Sequence, residues 1–238
     1  HVEYDELPEF LRINKRLADR YGLECWTNTE TFDRDMPIKF LPIKWEKLRL
    51  KLRMAEEAGI DQAITFEFSH FMSPQSAYLQ AGHLFEEMKK TLFRGLLGAA
   101  LTILVCLPAA SRGKGPKKTR EFTDADFRTE KILEALPIRA TFLDEVSWDI
   151  PHQNWGVKEW DADFKAMKQM GINTVVLIRA GLGSWIAAPF DCLLRTGKVK
   201  YPPVDLVEMF LVLSDKYGMD FWFGTYDSCY HWHVGEYE

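Results

Sequence analysis

The sequence predicts an α/β protein in which about five parallel strands, with helices on the outside, form part of a (β/α)8 barrel. Segments with strand patterns alternate with amphipathic helix patterns in both halves of the chain, as in parallel sheets with right-handed crossovers. A weak internal repeat relates residues 17–26 to residues 213–222: a helix ends at Tyr-Gly and is followed by a strand that carries Trp. Repeated units of this kind are typical of barrels.

In the first half of the chain, apolar residues recur at helical spacing in several segments, and Gly22 and Gly59 end two of these patterns. The helices expected there are 6–20, 45–58 and 77–87, and the strands are 23–31 and 60–69. Alternation along the second strand places Ala63, Thr65 and Glu67 on one face and Ile64 and Phe66 on the other.

The same pattern resumes in the second half, where Gly171 and Gly218 end the helices. The helices expected there are 157–170 and 205–217, and the strands are 140–147, 172–180 and 219–227. The open edges of a partial barrel favour self-association.

Residues 88–111 have the layout of a secretory signal peptide in the middle of the chain. Met88, a basic cluster, an apolar run and small residues at Ala109 and Ser111 follow one another. The run is shorter than the roughly 20 apolar residues of a stable membrane span, and a buried core helix is the alternative. The predicted segments are a partial barrel (1–87), the signal-like segment (88–111), a linker (112–138) and a second partial barrel (139–238). The layout predicts a secreted or periplasmic protein.

Composition excludes some classes of function. A net charge of −5 argues against nucleic acid, which requires a basic surface. The four cysteines have no CxxC spacing, and the sequence has no glycine-rich phosphate loop. We therefore expect neither a cofactor nor a zinc-finger-type metal site.

Polar clusters occur where each predicted strand ends, which is where β/α barrels carry their reactive groups. Paired carboxylates beside aromatic side chains fit glycoside hydrolysis, in which one acid protonates the leaving oxygen and another attacks or orients water. The candidate catalytic residues are Glu30, Glu67 and Glu145. The candidate substrate-binding residues are Asn28, His70, His152, Arg179, Tyr226 and Asp227.

Two alternatives remain open from the residues alone. Glu67 could form a structural ion pair with Arg179 across the barrel instead of acting on substrate. His152, His231 and His233 could hold a metal ion for a hydrolase, but no Asp or Glu lies at a suitable spacing. We therefore expect no metal.

Several motifs resemble the bacterial barrel family known as domain of unknown function 4434. They are CWTNTETFD (25–33), ITFEFSHFMSP (64–74), TFLDE (141–145), DIPHQNW (149–155) and YGMDFWFGTYD (217–227). The resemblance covers nearly everything except residues 88–138, and it implies an exported, glycoside-hydrolase-like TIM barrel.

The resemblance also implies an unusual order of segments. Residues 139–238 resemble strands one to three of the family's barrel, and residues 1–87 resemble strands seven and eight. Strands seven, eight, one, two and three are consecutive around a closed barrel, so the resemblance implies five strands in chain order in one sheet, with 60–69 beside 140–147. Glu30 matches the position of the nucleophile at the end of strand seven, whereas the acid/base position, at the end of strand four, has no counterpart. The chain therefore resembles a fragment or fusion of barrel proteins that acts on carbohydrate and is catalytically silent alone. A non-catalytic carbohydrate-binding barrel is the alternative.

Overall fold

The computed structural model describes residues 2–33, 41–99, 136–143, 155–182, 185–199 and 205–224. Within these ranges the centre of the fold is a five-stranded parallel sheet flanked by helices. This architecture confirms the predicted fold class, and it is consistent with part of a TIM-type barrel. The described strands do not close into a ring.

The first half supplies two strands of the sheet and the helices that pack on it. Its elements are α1 (Leu7–Arg20), β1 (Trp26–Glu30), β2 (Phe32–Asp33), β3 (Leu41–Pro42), α2 (Trp45–Glu57), β4 (Gln62–Phe66), α3 (Phe68–Phe71) and α4 (Leu79–Ala99). The short strands β2 and β3 pair with each other as an antiparallel ribbon outside the main sheet.

The second half supplies the other three strands. Its elements are β5 (Ile138–Leu143), α5 (Val157–Gln169), β6 (Thr174–Leu177), β7 (Gly181–Leu182), β8 (Trp185–Ile186), α6 (Asp191–Leu194), α7 (Leu206–Tyr217) and β9 (Asp220–Phe223). Asp205 caps α7 by accepting a hydrogen bond from the Glu208 N–H, and Gly218 ends the helix in the left-handed conformation.

The strand order in the sheet is β1-β4-β5-β6-β9, so the strands follow one another in chain order. The two halves of the chain meet where β4 pairs with β5, with Thr65 opposite Thr141 and Phe66 opposite Phe142. This pairing confirms the predicted neighbourhood of 60–69 and 140–147. One continuous sheet therefore spans both halves.

The sheet has a covered face, on which the helices pack, and an open face. Neighbouring residues in register form a row across each face. The covered row is Thr29, Thr65, Thr141, Val175 and Phe221. The open row is Glu30, Phe66, Phe142, Val176 and Trp222. The first four members of the covered row are buried, whereas every member of the open row is half-exposed or exposed.

Aromatic side chains dominate the core beneath the covered face. Trp160 of α5 packs edge-to-face on Phe210 of α7, with ring centroids 4.7 Å apart, and Phe164 lies 5.2 Å from the same ring. Phe221 of the covered row meets Phe210 at 6.0 Å. Such pairs add to the free energy gained by burying apolar surface. They fix α5 and α7 over β6 and β9.

The predicted strand 60–69 is shorter in the structure. It ends at Phe66, and residues 68–71 turn into the short helix α3. Long-range contacts explain the change, because the Phe68 N–H donates to Thr141 Oγ1 at 3.0 Å and Ser69 Oγ donates to Asp163 at 2.6 Å. Alternation within the strand cannot reveal partners that lie so far along the chain.

Helix α4 crosses the predicted boundary between 87 and 88, since it runs from Leu79 to Ala99. Met88 belongs to the buried core, as do Leu84 and Phe85. Residues 100–135, which contain the rest of the signal-like segment and most of the predicted linker, lie outside the described residues. Among the helices in the described ranges, none combines the length and apolar character needed to cross a membrane.

Candidate functional site

Glu30 and Asn28 lie on the open face of β1, as the alternation predicts. The burial of β1 alternates along its length, with Thr27 and Thr29 buried, Asn28 exposed and Glu30 half-exposed. Lys51 of α2 donates to the backbone carbonyl of Glu30 at 3.4 Å. A carboxylate and an amide therefore lie on one accessible surface at the carboxyl end of the strand.

Glu67 follows β4 directly, after a cis peptide bond, and its side chain is fully buried. Its Oε1 lies 3.7 Å from Nδ1 of His70. The His70 ring stacks on Phe71, at 4.3 Å between centroids, and on Tyr78, at 5.1 Å. The structure thus brings two predicted site residues together. It encloses them among aromatic rings rather than exposing them on the open face.

The ends of β1 and β4 are joined through Thr31. Its backbone N–H donates to the Phe66 carbonyl at 3.1 Å, and its hydroxyl lies 2.9 Å from the same oxygen and 3.2 Å from the Glu67 carbonyl. Glu30 is therefore tied to the segment that carries Glu67. The two predicted glutamates come from adjacent strand ends, one accessible and one buried.

Asp163 is a buried carboxylate that the sequence reasoning missed. It lies on α5, and one of its oxygens accepts a hydrogen bond of 2.6 Å from the Ser69 hydroxyl. A signal was present in the sequence, because Asp163 falls on the apolar stripe that contains Trp160, Phe164 and Met167. A carboxylate on a buried helix face requires a partner. Its partner lies 94 residues away along the chain.

Arg179 follows β6, two residues after the end of the strand at Leu177, and is half-buried. It shares the carboxyl edge of the sheet with Glu30 and Glu67. Gly224 follows β9 at the same edge, where its N–H donates to the Leu177 carbonyl at 2.7 Å. A Cβ on Gly224 would lie 2.5 Å from the Ile178 carbonyl oxygen, so only glycine allows this approach.

The other four predicted site residues cannot be placed. Glu145, His152, Tyr226 and Asp227 lie outside the described residues. His231 and His233, of the alternative metal hypothesis, also lie outside them. Within the described ranges, no group of three or more His, Cys, Asp or Glu side chains is placed to hold a metal ion.

A second pair of charges lies beside β1. Asp33 of β2 is buried, and its Oδ2 lies 2.7 Å from Nζ of Lys47. Both Asp33 and Glu30 line a cleft of about 240 Å³ along the outer edge of β1, together with Tyr4 and Lys51. The carboxyl end of β1 therefore has a water-accessible cleft, lined by both charged and apolar residues, on one side and the open face of the sheet on the other.

The parallel sheet, the outer helices and the polar strand ends define a β/α protein of the partial-barrel class. The sequence profile of the family described as "Domain of unknown function (DUF4434)" matches residues 1–78 and 138–237. The match covers more than half of the chain, so the chain belongs to the DUF4434 family. It leaves out residues 79–137, which include the signal-like segment.

Part of the chain is similar to a protein of known structure. It is described as a "putative alpha-L-fucosidase" from Bacteroides thetaiotaomicron, with 68% sequence identity, 38% of this chain and 28% of that chain covered, and a TM-score of 0.37. The chain thus spans less than a third of the length of that protein. No curated protein matches the chain.

Proposed function

We propose that the open face of the sheet is part of a carbohydrate site, in a fragment or fusion of exported glycoside-hydrolase-like barrel proteins. The observation that carries the proposal is the open row, which places Glu30 at one end, Trp222 at the other and Phe66 and Phe142 between them. With strands about 4.8 Å apart, the five residues span about 19 Å. Ligand sites combine apolar walls with a few polar groups in this way.

The two described glutamates differ in solvent exposure, and we assign them different roles. Glu30 is half-exposed at the end of the row, so a sugar on the open face would meet its carboxylate first. Asn28, two residues earlier on the same face, is placed to hydrogen-bond a hydroxyl group. Glu67 is fully buried beside His70, and we assign it to holding the strand end in position.

Retaining glycosidases require two carboxyl groups about 5–5.5 Å apart on either side of the scissile bond. Among the strand ends that the structure describes, Glu30 is the accessible glutamate. This arrangement favours binding over hydrolysis by this chain alone. In a completed barrel, Glu30 is the candidate nucleophile and another strand supplies the acid/base.

Binding and turnover assays on the purified chain test the proposal. We expect oligosaccharide binding without hydrolysis of activated aryl glycosides. Replacing Trp222, which is 65% exposed, with Ala should weaken binding about fivefold. Glu30→Gln is compared with Glu56→Gln, at an exposed position on α2, as the matched control.

Two outcomes would contradict the proposal in different ways. Turnover that Glu30→Gln abolishes and Glu56→Gln preserves would show a complete active site in this chain. Absence of binding to any mono- or oligosaccharide, with the chain folded, would remove the carbohydrate assignment altogether.

We also propose that these barrel proteins work outside the cytoplasm. The support is the layout of residues 88–111 and the gap in the family match at the same place. Residues 88–111 placed at the N-terminus of a reporter enzyme should direct its export. A reporter that stays inside the cell would refute the assignment.

A further inference from the structure

Helix α1 has two apolar stripes; one is buried against the described part of the protein, and the other is exposed. Leu11 is buried against the body of the fold, whereas Phe10, Ile13 and Leu17 are 49%, 43% and 50% exposed. The exposed stripe lies on the side of α1 away from α2, since Lys15 on the opposite flank approaches Gly59 at the end of α2. A stripe of this kind normally faces a neighbouring element.

The β9 end of the sheet also exposes apolar side chains. Leu211 of α7 is 54% exposed, on the flank opposite Lys216, which contacts Asp161 of α5. Phe221 and Phe223 of β9 lie on the covered face but are only half-buried. Within the described residues, the covered face is therefore only partly covered at β9, beside an exposed apolar helix flank.

The edge of β1 also leaves space for a neighbour. The cleft of about 240 Å³ along this edge is lined by Leu7 and Phe10 of α1 and by Thr27 and Thr29 of β1. Among the described strands, β1 and β9 each pair on one side only. Each edge thus combines an outer strand with an apolar helix flank.

The two edge helices have complementary charge. Helix α1 carries four basic and two acidic side chains. Helix α7 carries two acidic side chains, Glu208 and Asp215, and one basic side chain, Lys216. Two α1 helices would repel each other, whereas α1 attracts α7.

We propose that two copies of this chain associate head to tail, with the α1–β1 edge of one copy docked on the β9–α7 edge of the other. The exposed stripe of α1 then covers the half-buried face of β9 in the second copy. All five strands run in the same direction. A two-fold axis parallel to the strands therefore places the α1–β1 edge of each copy against the β9–α7 edge of the other, and every strand stays parallel to its neighbours. Heterologous edges that close in this way form a ring rather than a filament.

The association also changes the carbohydrate site. In the dimer, β9 of the second copy lies beside β1, so its carboxyl end adjoins Glu30. The site is then shared between the two copies. The proposed dimer does not depend on sugar binding, and the experiment that tests it contains no sugar.

Sedimentation and light scattering on the purified chain measure the assembly. We expect a particle of twice the 27.7 kDa chain mass that dissociates on dilution. Leu17→Lys and Leu211→Lys should each raise the dissociation constant more than about tenfold, because each places a charge in an apolar contact. Val157→Lys, at an exposed apolar residue of α5 away from both edges, is the matched control and should have no effect.

Mixing the variants tests the head-to-tail arrangement. The Leu17→Lys copy keeps an intact α7 edge, and the Leu211→Lys copy keeps an intact α1 edge, so a mixture should form a one-to-one heterodimer at concentrations at which each variant alone is monomeric. A wild-type chain that stays monomeric at high concentration would overturn the proposal. So would a dimer that only Leu17→Lys disrupts, since this would mean that two α1 edges pair. Circular dichroism verifies that each variant is folded.

Discussion

The two faces of the central sheet differ in what their side chains do. The covered row begins with three buried threonines, and the open row begins with a half-exposed glutamate followed by aromatic rings. Thr65 donates to the Thr29 carbonyl at 3.1 Å, and Thr141 Oγ1 accepts from the Phe68 N–H at 3.0 Å. Polar groups on the covered face are thus occupied in joining the strands.

This difference shows how one sheet separates stability from ligand binding. Parallel sheets are usually buried on both faces, so half-exposed apolar residues on one face are unusual. Buried hydroxyl groups need internal partners, which makes the covered face rigid and costly to change. The open face can change its side chains with little effect on the fold. It is therefore the face on which a ligand can bind.

The largest effect that we predict is on the covered side, at Asp163. Asp163→Ala should lower the free energy of unfolding by about 3 kcal/mol, because it leaves the buried Ser69 hydroxyl without its carboxylate partner and opens a cavity. Urea denaturation measures the change. Asp5→Ala, at an exposed position, is the control. Equal stability of the two variants would mean that the Ser69–Asp163 contact does not hold α3 to α5.

A smaller loss of stability is expected from substitutions that compare the covered row with the open row. Thr141→Val should cost about 1–2 kcal/mol, because the buried Phe68 N–H loses its acceptor while the side-chain volume is kept. Val176→Thr, on the neighbouring strand in the open row, should cost less than about 0.5 kcal/mol, since a hydroxyl there can reach water. Thermal unfolding of both variants measures the two losses of stability. A greater loss at Val176 would reverse the assignment of the faces.

The smallest effect concerns the charged contact between α5 and α7. The hydrogen bond from Lys216, with a second from Tyr217, lowers the pKa of Asp161 below its ordinary 3.8. A lowered carboxyl pKa stabilises the fold above the unfolded-state value, and this contribution is lost as the pH falls through the folded-state value. The melting temperature of Asp161→Asn should therefore lie slightly below that of wild type at about pH 6, and the gap should narrow as the pH falls below about 4.

High salt should also reduce this gap, since Lys216 is more than half-exposed. Asp215→Asn, at an exposed position on α7, provides the matched control. A gap that persists unchanged at low pH would show that Asp161 acts through packing rather than through its charge.

Much of the fold could be predicted from local patterns. Helical spacing and glycine caps located α1, α2, α5 and α7 to within a few residues, and alternation placed Asn28 and Glu30 on one face of β1. The short ribbons β2–β3 and β7–β8 were not predicted. Two-residue strands are too short to show periodicity.

The candidate site was predictable only in part. That polar residues meet at the carboxyl edge follows from parallel strands in chain order, and the structure places Glu30, Glu67 and Arg179 there. The burial of Glu67 was not predictable. It depends on His70, Phe71 and the turn into α3, and that turn depends on Thr141 in the other half of the chain.

The sequence by itself determined the fold class and which residues of each strand share a face, because these follow from local patterns in the chain. The tertiary structure decided which face the helices cover, which glutamate stays accessible and where Asp163 finds its partner. These depend on contacts between residues as far apart as Ser69 and Asp163. Such contacts form only when the two halves pack together, so local periodicity in the sequence does not predict them.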